Sequence, residues 1–169
     1  MERKKLPLGV ADFRKAIQGQ YLYVDKTSFI EEIMNDGAEV KLFTRPRRFG
    51  KTLNMSMLQY FFDIQNQEEN AKLFQGLKIE SSPYMVEQGK YPVIYLSLKD
   101  TKRDTWEEMI SEIRFFVSEL FYSFRFLLEN SNEFDIPIFK GIITKKSNMS
   151  ELLNSLKILS RMLKEHYQE

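Results

Sequence analysis

The residues point to a layered α/β domain, with helices packed on a parallel sheet. Three observations carry this expectation. Short β-prone apolar runs at residues 21–24, 39–44 and 91–98 alternate with helical stretches, and strand–helix alternation is the mark of that layering. The run Tyr91-Pro92-Val93-Ile94-Tyr95-Leu96-Ser97-Leu98 is apolar on both alternating positions, which suits a strand buried on two faces. Val40-Lys41-Leu42-Phe43 leads through a basic loop into Leu53-Asn54-Met55-Ser56-Met57-Leu58, a strand–loop–helix order.

Residues 1–20 are polar, with scattered apolar anchors at Leu6, Leu8, Val10, Phe13 and Ile17. After the first β-prone run, Ser28 and Glu31 stand at capping-box spacing and open a helix over 29–34. Asn35-Asp36-Gly37 ends it. Residues 51–64 form the next helix, with Leu53, Met57, Phe61 and Ile64 on one side. Residues 71–79 hold a short element. A long helix is expected over 105–128, where Trp106, Met109, Ile110, Ile113, Phe116, Val117, Leu120, Phe121, Phe124 and Leu127 recur at helical spacing. Asp104 and Glu107 would cap it. Residues 129–147, with Pro137 and Gly141, read as a polar loop. Asn148 and Glu151 cap a last helix running to about residue 167.

Composition narrows the choices. A chain of 169 residues suggests one domain, divisible into an N-terminal segment and helix (1–38), a strand–loop–helix (39–64) and a strand with two long helices (91–169). A hydrophobic fraction of 43% argues for a folded chain. The net charge of +1 points to no global attraction for nucleic acid or membrane. Charge is uneven, however. Residues 41–51 carry five basic side chains and no acid, and residues 102–135 carry eight acids against four bases. There is no cysteine, which excludes disulfides and thiol chemistry and agrees with a cytoplasmic location. The single His166 cannot build a histidine metal site; near a helix end, it reads as solvent-facing or dipole-facing. No apolar run approaches the ~20 residues needed to span a bilayer.

The basic cluster contains Arg45-Pro46-Arg47-Arg48-Phe49-Gly50-Lys51-Thr52. It ends as a Walker A phosphate loop does, but Arg45 stands where G-x-x-x-x-G-K-[ST] begins with Gly. In such a loop Gly50 lets the backbone approach a phosphate, Lys51 reaches the β- and γ-phosphates, and the Thr52 hydroxyl ligates Mg²⁺. Leu53 carries the loop into the helix. Arg45 would be strained at a positive φ, and Pro46 pushes it toward extended geometry, so the loop takes a variant path. Arg47 and Arg48 read either as phosphate contacts or as solvated loop charge. Phe49 is expected to pack beneath the loop. A plain basic turn is the blander alternative. Asp25 and Lys26 are candidates for a nucleotide pocket, and Asp25 fits equally well as a helix cap. Asp100 is a poor match for a metal-binding acid and a better one for a turn. Trp106 and the phenylalanine stripe read as core.

Several separated motifs resemble the bacterial AAA-ATPase-like proteins, in the right order. They are Leu6-Pro7-Leu8-Gly9-Val10-Ala11-Asp12-Phe13, Tyr23-Val24-Asp25-Lys26-Thr27, Thr44-Arg45-Pro46-Arg47-Arg48-Phe49-Gly50-Lys51-Thr52-Leu53, Leu73-Phe74-Gln75-Gly76-Leu77 and Gly89-Lys90-Tyr91-Pro92-Val93-Ile94. The likeness spans about residues 6–128, and the Arg-for-Gly change belongs to its pattern. It implies a P-loop NTPase-like parallel sheet flanked by helices, using ATP and Mg²⁺. It also implies a later strand bearing an Asp-Glu pair and, in many relatives, a PD-(D/E)xK nuclease-like domain. Neither stands in these 169 residues. The sequence therefore reads as the N-terminal part of an ATPase, cut before the strand of metal-binding acids. Such a chain should bind ATP through residues 45–53 and hydrolyse little or none. Two alternatives stay open: a nucleic-acid-associated module using the basic patch from Arg45 to Lys51, and a non-catalytic interaction scaffold that could self-associate.

Overall fold

The computed structural model describes residues 5–44, 46, 48–98 and 103–167. Eight α-helices are found there: α1 (Phe13–Gln18), α2 (Ser28–Asn35), α3 (Lys51–Phe62), α4 (Gln67–Ala71), α5 (Trp106–Ser123), α6 (Asp135–Ile143), α7 (Met149–Leu153) and α8 (Ser155–Tyr167). Short 3₁₀ turns lie at Lys72–Phe74, Lys78–Ser81, Pro83–Glu87 and Arg125–Glu129.

The expected parallel sheet is not there. The protein is helical, and among the described residues no strand or sheet forms. The three β-prone runs are irregular chain. An isolated parallel bridge joins Asp63 and Tyr91, where Ile64 N–H donates to Tyr91 O at 2.8 Å and Tyr91 N–H to Phe62 O at 2.9 Å. The physical reason is that a strand is defined by a neighbour. β-Propensity measures how well a residue suits a pleated, half-buried surface, and no such surface is assembled here. Val40 and Leu42 are 87% and 86% exposed, so the run before the basic loop keeps its apolar side chains in water.

The chain divides into two compact units, Met1–Val93 and Ile94–Glu169. In the first, α1 and α3 pack together. Asp12 caps α1 by accepting from Lys15 N at 2.8 Å, and its other oxygen accepts from the Tyr60 hydroxyl at 2.9 Å. Buried Ser56 on α3 accepts the Phe13 N–H at 2.9 Å. This bond satisfies an orphan amide at the start of α1. Phe13, Ile30, Met57, Phe61, Leu73, Phe74 and Ile79 form the core beneath these helices. Phe74 stacks on Phe13 and meets Phe61 edge-on, both at 5.2 Å between centroids.

In the second unit, α5 packs on α6 and α7 joins α6 to α8. Val117, Phe121, Phe139, Ile142, Leu159 and Met162 are central in its core. Helix α6 corrects the loop expected over 129–147. Pro137 is its third residue, in the first turn, where a missing N–H removes no intrahelical bond. Asn132 secures that end by accepting from Phe134 N and Asp135 N at 3.0 and 2.9 Å. The last helix breaks at Asn154, whose side chain donates to Ser150 O at 2.8 Å and so competes with the helix's own ladder. The capping box of Asn148 and Glu151 forms as expected. That of Asp104 and Glu107 gives way to Thr105, which accepts from Glu108 N at 3.2 Å. Trp106, expected in the core, is 62% exposed because α5 begins with it. His166 is not simply solvent-facing: its ring packs edge-on against Phe126 and Tyr167, and its Nδ1 is buried.

Candidate functional site

The end of the basic loop is built on two left-handed residues. Arg48 has φ 69° and Gly50 has φ 73°. Glycine adopts that region freely, whereas arginine is strained there. Arg48 thus takes the left-handed turn; Arg45, whose conformation the sequence reading turned on, and Arg47 lie outside the described residues. Gly50 is the N-cap of α3, and no side chain caps this helix. Its carbonyl accepts from Asn54 N at 2.9 Å. The N–H groups of Thr52 and Leu53 have no acceptor among the described residues. A helix start of twelve residues therefore presents amides and a positive dipole end to solvent.

Pro46, Arg48, Lys51 and Thr52 are exposed around this end, and Leu53 is half-buried. Phe49 does not pack beneath the loop; it is 60% exposed. Backbone amides, the Lys51 ammonium and the Thr52 hydroxyl lie within four consecutive residues at this helix start. These residue types are ones that suit a phosphate-bearing ligand.

Beside Lys51 lies a cleft of about 200 Å³, lined by Phe29, Lys41, Phe43, Lys51, Asn54 and Met55. Helix α2 supplies Phe29, and the irregular run before the loop supplies Lys41 and Phe43. The two phenylalanine rings meet edge-on, 4.9 Å apart between centroids. The Lys41 ammonium is turned back onto Asp36 O and Ala38 O, so its aliphatic stem is what the cleft meets. Asn54 is only 6% exposed. Phe29, Phe43 and Asn54 escaped the sequence reading. The signal available was spacing: Asn54 follows Lys51 by three residues and so shares its helix face.

Asp25 and Lys26 are placed elsewhere. The Asp25 carboxylate accepts from Thr27 N at 2.9 Å, Thr27 Oγ1 at 2.7 Å and Lys78 N at 2.8 Å. Burial opposes its charge, but these bonds outweigh that and hold the carboxyl below its ordinary pKa. Thr27, fully buried, accepts in turn from Ile79 N at 3.1 Å. The pair ties the start of α2 to the turn at Lys78. Lys26 is exposed, and its N–H donates to the Tyr23 hydroxyl at 3.3 Å. Asp100 lies outside the described residues. No group of three or more His, Cys, Asp or Glu able to hold a metal ion occurs among those described, and no described helix is long and apolar enough to cross a membrane.

Residues 7–169 match the AAA-ATPase-like family, described as "Predicted AAA-ATPase". The chain belongs to this family. It is also similar to a protein of Azotobacter chroococcum mcd 1 described as "Uncharacterized protein in vnfD 5'region", at 42% identity over 80 residues. That likeness covers 47% of this chain and 14% of the relative, so the chain matches about a seventh of the relative's length. No solved structure matches. Membership agrees with the resemblance drawn from the separated motifs, and it brings an ATPase-like role at the level of the family name.

Proposed function

We propose that the chain binds the phosphates of ATP, with Mg²⁺, at the start of α3. The observation that carries this reading is the left-handed Arg48 and Gly50 leading into an uncapped helix end that displays Lys51 and Thr52. Thr52 and Leu53 N–H would donate to phosphate oxygens, the Lys51 ammonium would neutralise them, and the Thr52 hydroxyl would hold the metal. Bound Mg²⁺ supplies charge neutralisation at the terminal phosphates. Hydrolysis also needs an acid to hold the metal and a group to orient water. Among the described residues that line the cleft no acid occurs, so turnover by this chain is expected to be very slow.

Calorimetric titration of the chain with MgATP tests the reading. Lys51→Ala is expected to weaken binding about tenfold or more, the worth of a hydrogen bond to a charged group. Equal affinity in the variant would overturn it. Retention of binding at high salt separates this pocket from the nucleic-acid alternative, whose affinity falls steeply as salt rises.

A further inference from the structure

We propose that a polar cavity in the second unit, between the turn at Arg125–Glu129 and the last turns of α8, binds a small aliphatic primary amine in its ammonium form. The site lies wholly within that unit and stands whether or not ATP binds at α3. The cavity measures about 350 Å³, at the lower end of the ~300–1,000 Å³ typical of ligand pockets. Leu127, Asn130, Ser131, Met162, Glu165 and His166 line it, and four of these six are polar.

The bonding of the polar four selects the ligand. Ser131 Oγ donates to Leu127 O at 2.6 Å, which uses its one hydrogen and leaves its lone pairs. Glu165 gives Oε1 to Arg161 at 3.0 Å and retains Oε2. Asn130 adds an amide carbonyl. His166 Nδ1 is buried and has no hydrogen bond. No acceptor stands beside it, so the neutral ring carries its proton on Nε2 and offers a lone pair at Nδ1. A buried atom in that state costs free energy unless a donor reaches it. The lining is therefore richer in acceptors than in donors. Charge points the same way. Both arms of the Arg161 guanidinium go to Asp135, and one of them also serves Glu165. Two carboxylates thus share one cation, and a negative charge is left over. An alkylammonium brings the missing positive charge and three N–H donors, while its stem can lie along Leu127 and Met162. A divalent metal fits less well, because Glu165 and His166 are the two metal-ligating side chains in this lining.

The test is a titration of the whole chain with n-butylammonium chloride at pH 8, followed by NMR. His166 is the single histidine, so its imidazole signals report on this cavity alone. A saturable shift of those signals is expected. Butan-1-ol, which lacks the charge, and tetramethylammonium, which lacks the N–H donors, should each bind at least about tenfold more weakly, the worth of hydrogen bonds to a charged group. Glu165→Gln should weaken butylammonium about tenfold or more while Arg161 keeps its bonds to Asp135. His166→Phe retains a ring against Phe126 and Tyr167 but removes the nitrogen, and should weaken binding too, as read from the Met162 methyl signal. The wild-type comparison of the three probes decides the matter if either variant fails to fold by circular dichroism. No saturable shift with butylammonium, an equal response to butan-1-ol or tetramethylammonium, or undiminished binding by folded Glu165→Gln would overturn the amine site.

Discussion

Single side chains carry much of the order in this protein, through bonds that close short distances in space over long ones in sequence. Asp135 is the clearest case. Only 3% exposed, it accepts from both arms of the Arg161 guanidinium, with Nη1 to Oδ2 at 3.0 Å, and from Asn132 Nδ2 at 2.7 Å. The arginine bond, working against burial, holds its carboxyl below the usual aspartate range. A lowered folded-state pKa means that this stability is full above the unfolded value of about 3.9 and is lost as pH falls through the folded one. Asp135→Asn should cost about 1–3 kcal/mol at pH 7, read from urea midpoints. It should also flatten the loss of stability that the wild type shows below about pH 4. An unchanged acid profile would contradict this role. Of these groups the sequence revealed little, since 26 positions separate Asp135 from its arginine. The Asn148–Glu151 box was legible because both partners lie within one turn. Asn54 was not, because the cleft it lines also takes Phe29 of α2 and Phe43 from other parts of the chain.

Among the elements, α3 has two tasks. Its start presents the loop, and its later turns anchor the first unit through Ser56, Met57 and Phe61. Phe61 is fully buried and meets Phe62 and Phe74 edge-on. Phe61→Ala should therefore destabilise by about 3–5 kcal/mol, measured by denaturant unfolding. It should weaken MgATP binding only as far as the folded fraction falls. A loss of binding in fully folded variant would show that the loop depends directly on this core. The helix reading of residues 51–64 came within two residues of the observed end at Phe62, since helical spacing is local. The three strand readings failed for the opposite reason: their backbone bonds must come from another segment. Helix α6 was hidden by Pro137, a residue that breaks helices in their middle and is tolerated at their start.

For the chain as a whole, net charge is +1 and the isoelectric point is about 7.8. Little self-repulsion is available near that pH, while Leu8, Val40, Leu42 and Val24 are each 70% exposed or more. Solubility is expected to pass through a minimum near pH 7.8 and to rise on either side. Light scattering against pH checks this, and a flat profile would contradict it. The expected single domain corresponds to two compact units, each with its own core.

The sequence by itself determined the helices with strong spacing, the Gly50-Lys51-Thr52 motif and the family, because each is written in neighbouring residues or in ordered motifs. Only the tertiary structure decided that the apolar runs stay unpaired, that Arg48 takes the left-handed turn, and that Asn54 is buried beside Phe29 and Phe43. These outcomes depend on which distant segments meet. Local propensity supplies an energy for each conformation, but the contacts that choose between them come from elsewhere in the chain.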